Sequence, residues 1–191
     1  VDHYKKGAGK NLFAVTSPAT AMLDWSKAVH RSLKDAGVRQ IATVPDGGLT
    51  RLLDLCRRDP RMRVVTLASE QEGIGLLAGA WLGGERAALL MQSSGVGNCV
   101  NALAFIATCR VPCLMLVTMR GEWGEFNPWQ VPMGRAAEPV LRAMGVIVYR
   151  LDRAEEADVT VEAAARIAFD SQQAVGVLIA QRLIGRKAFG R

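Results

Sequence analysis

Short, continuously apolar runs recur along this chain, with segments of helical character between them. AALLM spans residues 87–91, CLMLV spans 113–117 and AVGVLIA spans 174–180. A strand that is apolar at every position has both faces buried, as in a parallel sheet covered by helices on both sides. Alternation of strands with helical segments implies βαβ units. The expected strands are residues 40–44, 63–67, 86–91, 113–118, 146–149 and 174–180. The expected helices are 49–58, 70–82, 97–109, 135–144 and 154–169, after a first helix that opens at Ser17-Pro18 and runs to about Ala36 before Gly37. Serine as N-cap with proline at the first helical position is a start signal. The fold class expected is α/β: a six-stranded, mostly parallel sheet with helices on both faces.

At 191 residues the chain suits one domain, at 17–185, between basic tails at 1–16 and 186–191. Half the residues are hydrophobic and 22% are charged, which excludes a disordered chain. A membrane span is not expected, because the longest apolar stretch, 103–119, is interrupted by Arg110 and Pro112. Lys5 and Lys6 precede only a short apolar run at 12–15, which is too little for a secretory signal. A cytoplasmic protein with reduced thiols is the expectation. The net charge of +6 lies in the tails: residues 17–181 hold 17 basic and 17 acidic side chains. A nucleic-acid site needs a basic face built on the fold, so no nucleic-acid partner is expected.

In a sheet of this kind ligands bind beyond the carboxyl ends of the strands. Four loops occupy that edge: 45–48, 68–73, 92–98 and 119–134. In the turn Gln92-Ser93-Ser94-Gly95-Val96-Gly97-Asn98, two glycines let the backbone approach a ligand and a helix start favours anions. It lacks the three-glycine dinucleotide spacing, and no acidic ribose ligand stands at the expected distance from a first-strand glycine loop. Ser69 and Glu72 have capping-box spacing, which leaves Glu70 at the first helical position. Gly73, Gly75, Gly79 and Gly83 fall in that helix, the last three on one smooth face. Asp46 ends the first strand in a Pro-Asp-Gly turn that also suits a helix cap. The segment 120–130 combines three aromatics and three charges, the mark of a lid or a partner surface. Cys109-x-x-x-Cys113 has no histidine near it, so no metal site is expected, and the four cysteines read as small core residues. The only histidines, His3 and His30, lie away from strand ends, which leaves a hydrolase triad unsupported.

The runs SEQEGIGLLAGAWLGG, MQSSGVGNCVNAL and RGEWGEFNPWQVPMGR, in that order, resemble the sulfopyruvate decarboxylase alpha-subunit family. Less closely they resemble phosphonopyruvate decarboxylases. Both are thiamine diphosphate-dependent decarboxylases. The likeness covers residues 20–150 with ordered motifs and extends more loosely to about 185. It implies a pyrimidine-binding domain without the diphosphate-binding one, whose Gly-Asp-Gly is absent from the sequence. A beta subunit would then hold Mg²⁺ and the diphosphate in a hetero-oligomer. The length favours this split arrangement over the single chain of phosphonopyruvate decarboxylases.

By the same resemblance Glu70 is the catalytic glutamate, bonding the pyrimidine nitrogen N1′ and stabilising the imino tautomer. The cofactor-binding set is Glu70, Gln92, Ser94, Gly95, Gly97 and Asn98, with Val96 where a proline is common. Asp46 aligns with a substrate-facing loop. Arg120 and Arg135 are expected as partners of a sulfonate, since guanidinium suits tetrahedral oxyanions; ion pairing with Glu122, Glu125 or Glu138 is the alternative. The activity implied is decarboxylation of 3-sulfopyruvate to sulfoacetaldehyde. The alternatives are phosphonopyruvate or another anionic 2-oxo acid, or a non-catalytic assembly or regulatory paralogue.

Overall fold

The computed structural model describes residues 24–185. Both tails and the Ser17-Pro18 helix start lie outside the described residues. Thirteen elements alternate: α1 (Trp25–Asp35), β1 (Val38–Thr43), α2 (Thr50–Arg58), β2 (Arg63–Thr66), α3 (Glu70–Leu82), β3 (Arg86–Gln92), α4 (Val96–Cys109), β4 (Cys113–Thr118), α5 (Gln130–Ala143), β5 (Ile147–Leu151), α6 (Ala157–Asp170), β6 (Ala174–Ile179) and α7 (Gln181–Ile184). Single 3₁₀ turns at Gly47–Leu49, Ser93–Gly95 and Ala154–Glu156 lead into α2, α4 and α6.

The sheet has six strands in the order β2-β1-β3-β4-β6-β5, and every pairing is parallel. Side chains of α1, α2 and α6 pack with Ile41, Leu90, Leu116 and Val177 on one face. Those of α3, α4 and α5 pack with Ala42, Leu89, Met115 and Leu178 on the other. The even and odd positions of each central strand thus feed two separate cores, which is why β3 and β4 had to be apolar throughout. From β1 the chain goes first to β2 on one side and then to β3 on the other. The crevice at which strand order reverses therefore lies between the carboxyl ends of β1 and β3.

The expected loop 119–134 ends early, because α5 begins at Gln130. Pro132 falls in the first turn, where a missing N–H costs nothing. Gly134 continues the helix against the chain behind it: a Cβ there would run into the Arg120 carbonyl, and one on Gly121, at φ +76°, would run into the Gln130 carbonyl. Both glycines let backbone lie directly on backbone. The capping box also differs. Ser69 is the N-cap of α3 but its side chain makes no capping bond, since Glu72 reaches one residue further and accepts the Ala68 N–H at 3.1 Å. The short helix α7 was not anticipated.

Cys56, Cys99 and Cys113 are buried, as expected of small core residues, but Cys109 is exposed at the end of α4. Burial pushes each of the three buried thiols up to about 12. A thiol-disulfide reagent such as DTNB should therefore modify one thiol per native chain rapidly, at Cys109, and the others only on denaturation. Rapid modification of the Cys109→Ser variant would contradict the burial of the other three.

Candidate functional site

The three central strand ends are tied together by side chains. Asp46 follows β1 and caps the 3₁₀ turn there, accepting the Gly48 N–H at 3.0 Å. The Gln92 amide, at the end of β3, donates to its Oδ1 at 2.8 Å. The Thr118 hydroxyl, at the end of β4, donates to its Oδ2 at 3.1 Å. Ser94 in turn donates to Gln92 Oε1 at 2.8 Å. Asp46 is thus both the turn cap that its sequence suggested and a group at the switch-point crevice, and Thr118 is a member that sequence reasoning missed.

Beside this network the N-termini of α3 and α4 converge. Glu70, first residue of α3, is 7% exposed. Asn98, in the first turn of α4, donates from Nδ2 to Glu70 Oε2 at 2.7 Å. Gly95 lies under the same carboxyl: a Cβ there would stand 2.5 Å from Glu70 Cγ, Cδ and Oε1. Glycine is needed here because the acidic side chain occupies the space a methyl would take. Among the described residues Asn98 is the one hydrogen-bond donor to this carboxylate. Gly97 is exposed, and a Cβ on it would meet the Met133 methyl of α5 at 3.5 Å. The turn expected to receive a cofactor thus brings Glu70, Gly95 and Asn98 together, with Gln92 and Ser94 adjoining.

The segment from Arg120 to Trp129 is held from inside. Arg120 donates from Nε and Nη2 to the two oxygens of Glu125, each at 2.7 Å. The side chains of the pair are 8% and 3% exposed. Glu125 also accepts the N–H groups of Asn127 at 3.1 Å and Gly121 at 3.3 Å. From the end of the neighbouring strand β6, Gln181 donates to Glu125 at 2.9 Å and accepts the N–H groups of Glu122 and Trp123, each at 3.0 Å. The hydroxyl of Ser93 accepts the Arg120 N–H at 3.1 Å, which ties the loop to the glycine turn. Trp129 is 84% exposed and Trp123 40%, so this rigid loop presents aromatic rings outward.

This placement bears on the two arginines expected to meet a sulfonate. Arg120 already spends two of its nitrogens on Glu125. Arg135 is exposed on α5, about 200° around the helix from Met133. It lines a groove with Met119, Glu122, Glu138, Arg142 and Arg150, which shares no residue with the Glu70 turn. The pairing of Arg120 with Glu125 is the alternative that the sequence left open; Gln181 escaped the sequence reading because the loop after β6 was not counted among the strand-end loops, although the same edge rule selects it.

The fold and this edge are matched by known proteins. The thiamine pyrophosphate enzyme N-terminal TPP binding domain matches residues 23–126. Sulfopyruvate decarboxylase subunit alpha of Methanothermobacter thermautotrophicus is 39% identical over 159 residues, covering 82% of this chain and 96% of that one. Phosphonopyruvate decarboxylase of Streptomyces viridochromogenes is 37% identical over 111 residues, 57% of this chain and 28% of that protein. Among solved structures, 2-oxoglutarate:ferredoxin oxidoreductase from Magnetococcus marinus superimposes with a TM-score of 0.65 at 14% identity, over 84% of this chain and 29% of that one, a likeness of fold. The chain belongs to the thiamine pyrophosphate enzymes, in the family of sulfopyruvate decarboxylase alpha subunits.

The hydrogen bonds of Arg120 hold the Glu125 carboxyl at about 2, below its ordinary 4.5, against the opposing effect of burial. A carboxylate depressed in the folded state stabilises the fold above its ordinary value, and that stability is lost as pH falls through the folded one. Glu125→Gln should destabilise the chain by about 3 kcal/mol at neutral pH, the low end for breaking a buried pair. In denaturant titrations followed by tryptophan fluorescence, the gap between wild type and variant should narrow as pH falls from 4.5 toward 2. A gap that is constant with pH would mean that the ion pair is not its source.

Proposed function

We propose that this chain contributes the aminopyrimidine side of a thiamine diphosphate site in a hetero-oligomeric decarboxylase. The observation that carries the reading is the Glu70 carboxyl, nearly buried at the carboxyl edge and filling the space that a Cβ on Gly95 would take. The site fits that half of the cofactor: an acidic group for a ring nitrogen, and a turn of small residues, Gly95 and Gly97, that permits close approach of a flat ring. Gln92, Ser94 and Asn98 complete the turn that would hold it. Asp46, at the same crevice, is the candidate group on the substrate side. Of the two arginines, the geometry supports Arg120 as the anchor of the aromatic loop.

When bound, thiamine diphosphate supplies a nucleophilic carbon and a sink for the electrons released with carbon dioxide. The contribution of this chain is to place the ring and to hold, at the Glu70 carboxyl, the proton shared with N1′. The substrate proposed is 3-sulfopyruvate, which loses carbon dioxide and gains a proton at the carbonyl carbon to give sulfoacetaldehyde. Support for it comes from the alpha subunits that the chain matches nearly end to end. A beta subunit, proposed from the subunit name of those relatives, would hold the diphosphate through Mg²⁺. It would cover the outer face of α3 and α4, where a Cβ on Gly75 or Gly79 meets nothing within 4 Å among the described residues and where Leu82 and Phe105 are exposed. We place the enzyme in the cytoplasm, where a thiol such as Cys109 stays reduced; among the described residues no helix is long and apolar enough to cross a membrane.

In the reconstituted enzyme, Glu70→Gln should lower turnover of 3-sulfopyruvate at least about a hundredfold, the scale of acid-base catalysis. Glu72→Gln should be mild, because an amide oxygen can also accept the Ala68 N–H. Equal activity of the two variants would refute the assignment of Glu70, and faster turnover of phosphonopyruvate would move the substrate to that acid.

The isolated chain should lack activity until the partner is titrated in. Gly79→Ala should stabilise it by roughly 0.5–1 kcal/mol through helix propensity while weakening subunit association. Stabilisation with association unchanged would show that the partner sits elsewhere.

A further inference from the structure

We propose that Asn98 is a positioning residue for Glu70: its amide holds Oε2 so that Oε1 is the oxygen presented to the ring nitrogen of the cofactor. The inference rests on the cofactor reading above and deepens it. Asn98 and Glu70 open neighbouring helices 28 positions apart in sequence, and their side chains meet at 2.7 Å. That distance is in the short range of hydrogen bonds to an ionised acceptor. The end of a glutamate side chain turns in a broad, roughly two-fold potential. Here the surroundings narrow that freedom: the amide grips one oxygen, and Cγ, Cδ and Oε1 fill the space that a Cβ on Gly95 would take. Because the acceptor is a carboxylate, the NH₂ side of the amide must face it.

The choice of donor matters. Glu125, some distance along the same edge, is gripped by a guanidinium, an amide and backbone N–H groups. That grip suits a carboxylate that never changes state. Glu70 is oriented by a single neutral amide, which fixes direction and leaves the charge to be shared with a ligand. Nor does helix stability call for asparagine here. In the first turn of α4 an aspartate would be favoured by the helix dipole, so a role confined to the helix start predicts that Asn98→Asp is neutral or stabilising.

The test uses the enzyme assembled with its partner subunit, thiamine diphosphate and Mg²⁺. Asn98→Asp keeps the shape of the side chain and replaces the donor by a second carboxylate, while Asn98→Ala removes the donor alone. Both should lower the melting temperature without cofactor, Asn98→Asp more than Asn98→Ala, because the buried Glu70 carboxylate loses its donor. The Kd for thiamine diphosphate, measured by isothermal titration calorimetry, should rise roughly ten- to hundredfold, the worth of one hydrogen bond to a charged group. The kcat should fall by a similar factor with KM for the 2-oxo acid little changed, and the near-ultraviolet circular dichroism that reports the tautomer of the bound ring should change with it. Cofactor affinity and dichroism equal to wild type in both variants, with Glu70→Gln inactive, would overturn the positioning role and leave the cofactor reading standing. An equal or raised melting temperature of Asn98→Asp with unchanged cofactor affinity would also overturn it, by making Asn98 a residue of the helix start. Failure of the wild-type assembly to bind thiamine diphosphate would overturn both.

Discussion

Parallel pairing forces every strand of this sheet to end at the same edge. There the backbone ladder stops, and the last N–H and C=O groups of six strands must find partners among side chains or turns. The chain meets that demand with short polar residues placed one or two positions beyond the apolar runs: Asp46, Gln92, Ser93, Thr118 and Gln181. Each serves a neighbouring strand end as well as its own. Asp46 reaches the last residues of β3 and β4, Ser93 holds the start of the Arg120 loop, and Gln181 holds its middle. The requirement that makes the edge rigid also makes it the place where polar groups can be aimed, so stability and site share one set of residues.

The carboxylates of this edge are distinguished by how many donors they receive. Glu125 accepts from Arg120, Asn127, Gly121 and Gln181, and its acidity is pushed to about 2. It is an anchor, and a change in its protonation would release the loop. Asp46 accepts from Gln92, Thr118 and Gly48 and ties three strands together. Glu70 receives one neutral donor among the described residues, although it is buried. A buried acid is costly to leave underpartnered. An acid that is oriented but not saturated has its remaining capacity available for a ligand, which is the physical difference between a structural and a functional glutamate in this fold.

Much of this was legible in the sequence where periodicity and punctuation agreed. The bounds of α3 and β4 coincide with the expected ones, because Ser69 and Leu82-Gly83 bracket one and a Lys- and Glu-free apolar run defines the other. Glu70, Gly95 and Asn98 were selected from motif and edge position together. What stayed hidden depended on partners distant in the chain. Pro132 and Gly134 read as loop residues, yet one is harmless in a first turn and the other is demanded by the Arg120 carbonyl. For Arg120 two readings stayed open, a sulfonate partner or an ion pair with a nearby glutamate, because its environment is set by a turn that folds Glu125 back onto it and by Gln181, some sixty positions on. Local signals specify elements well; which charge is used up inside them is a property of the tertiary fold.

The two helical layers differ in a way that the isolated domain does not explain. On the side of α1, α2 and α6, exposed surfaces carry ion pairs such as Arg31–Asp158, Arg57–Asp54 and Arg166–Glu162, the ordinary dress of a solvated helix. On the other side α4 has no charged residue in 14 positions, and α3 has only Glu70 and Glu72 in 13. Its outward glycines, Gly75 and Gly79, cost helix propensity without relieving any contact among the described residues. Water rewards charge, and a lone helix rewards alanine. A surface that forgoes both gains only if a closely fitting neighbour sits on it. Both helices begin at the Glu70–Asn98 contact, so a neighbour covering them would also close the edge at which that contact lies. This continuity between the bare helix face and the oriented carboxylate supports a site completed by a second chain.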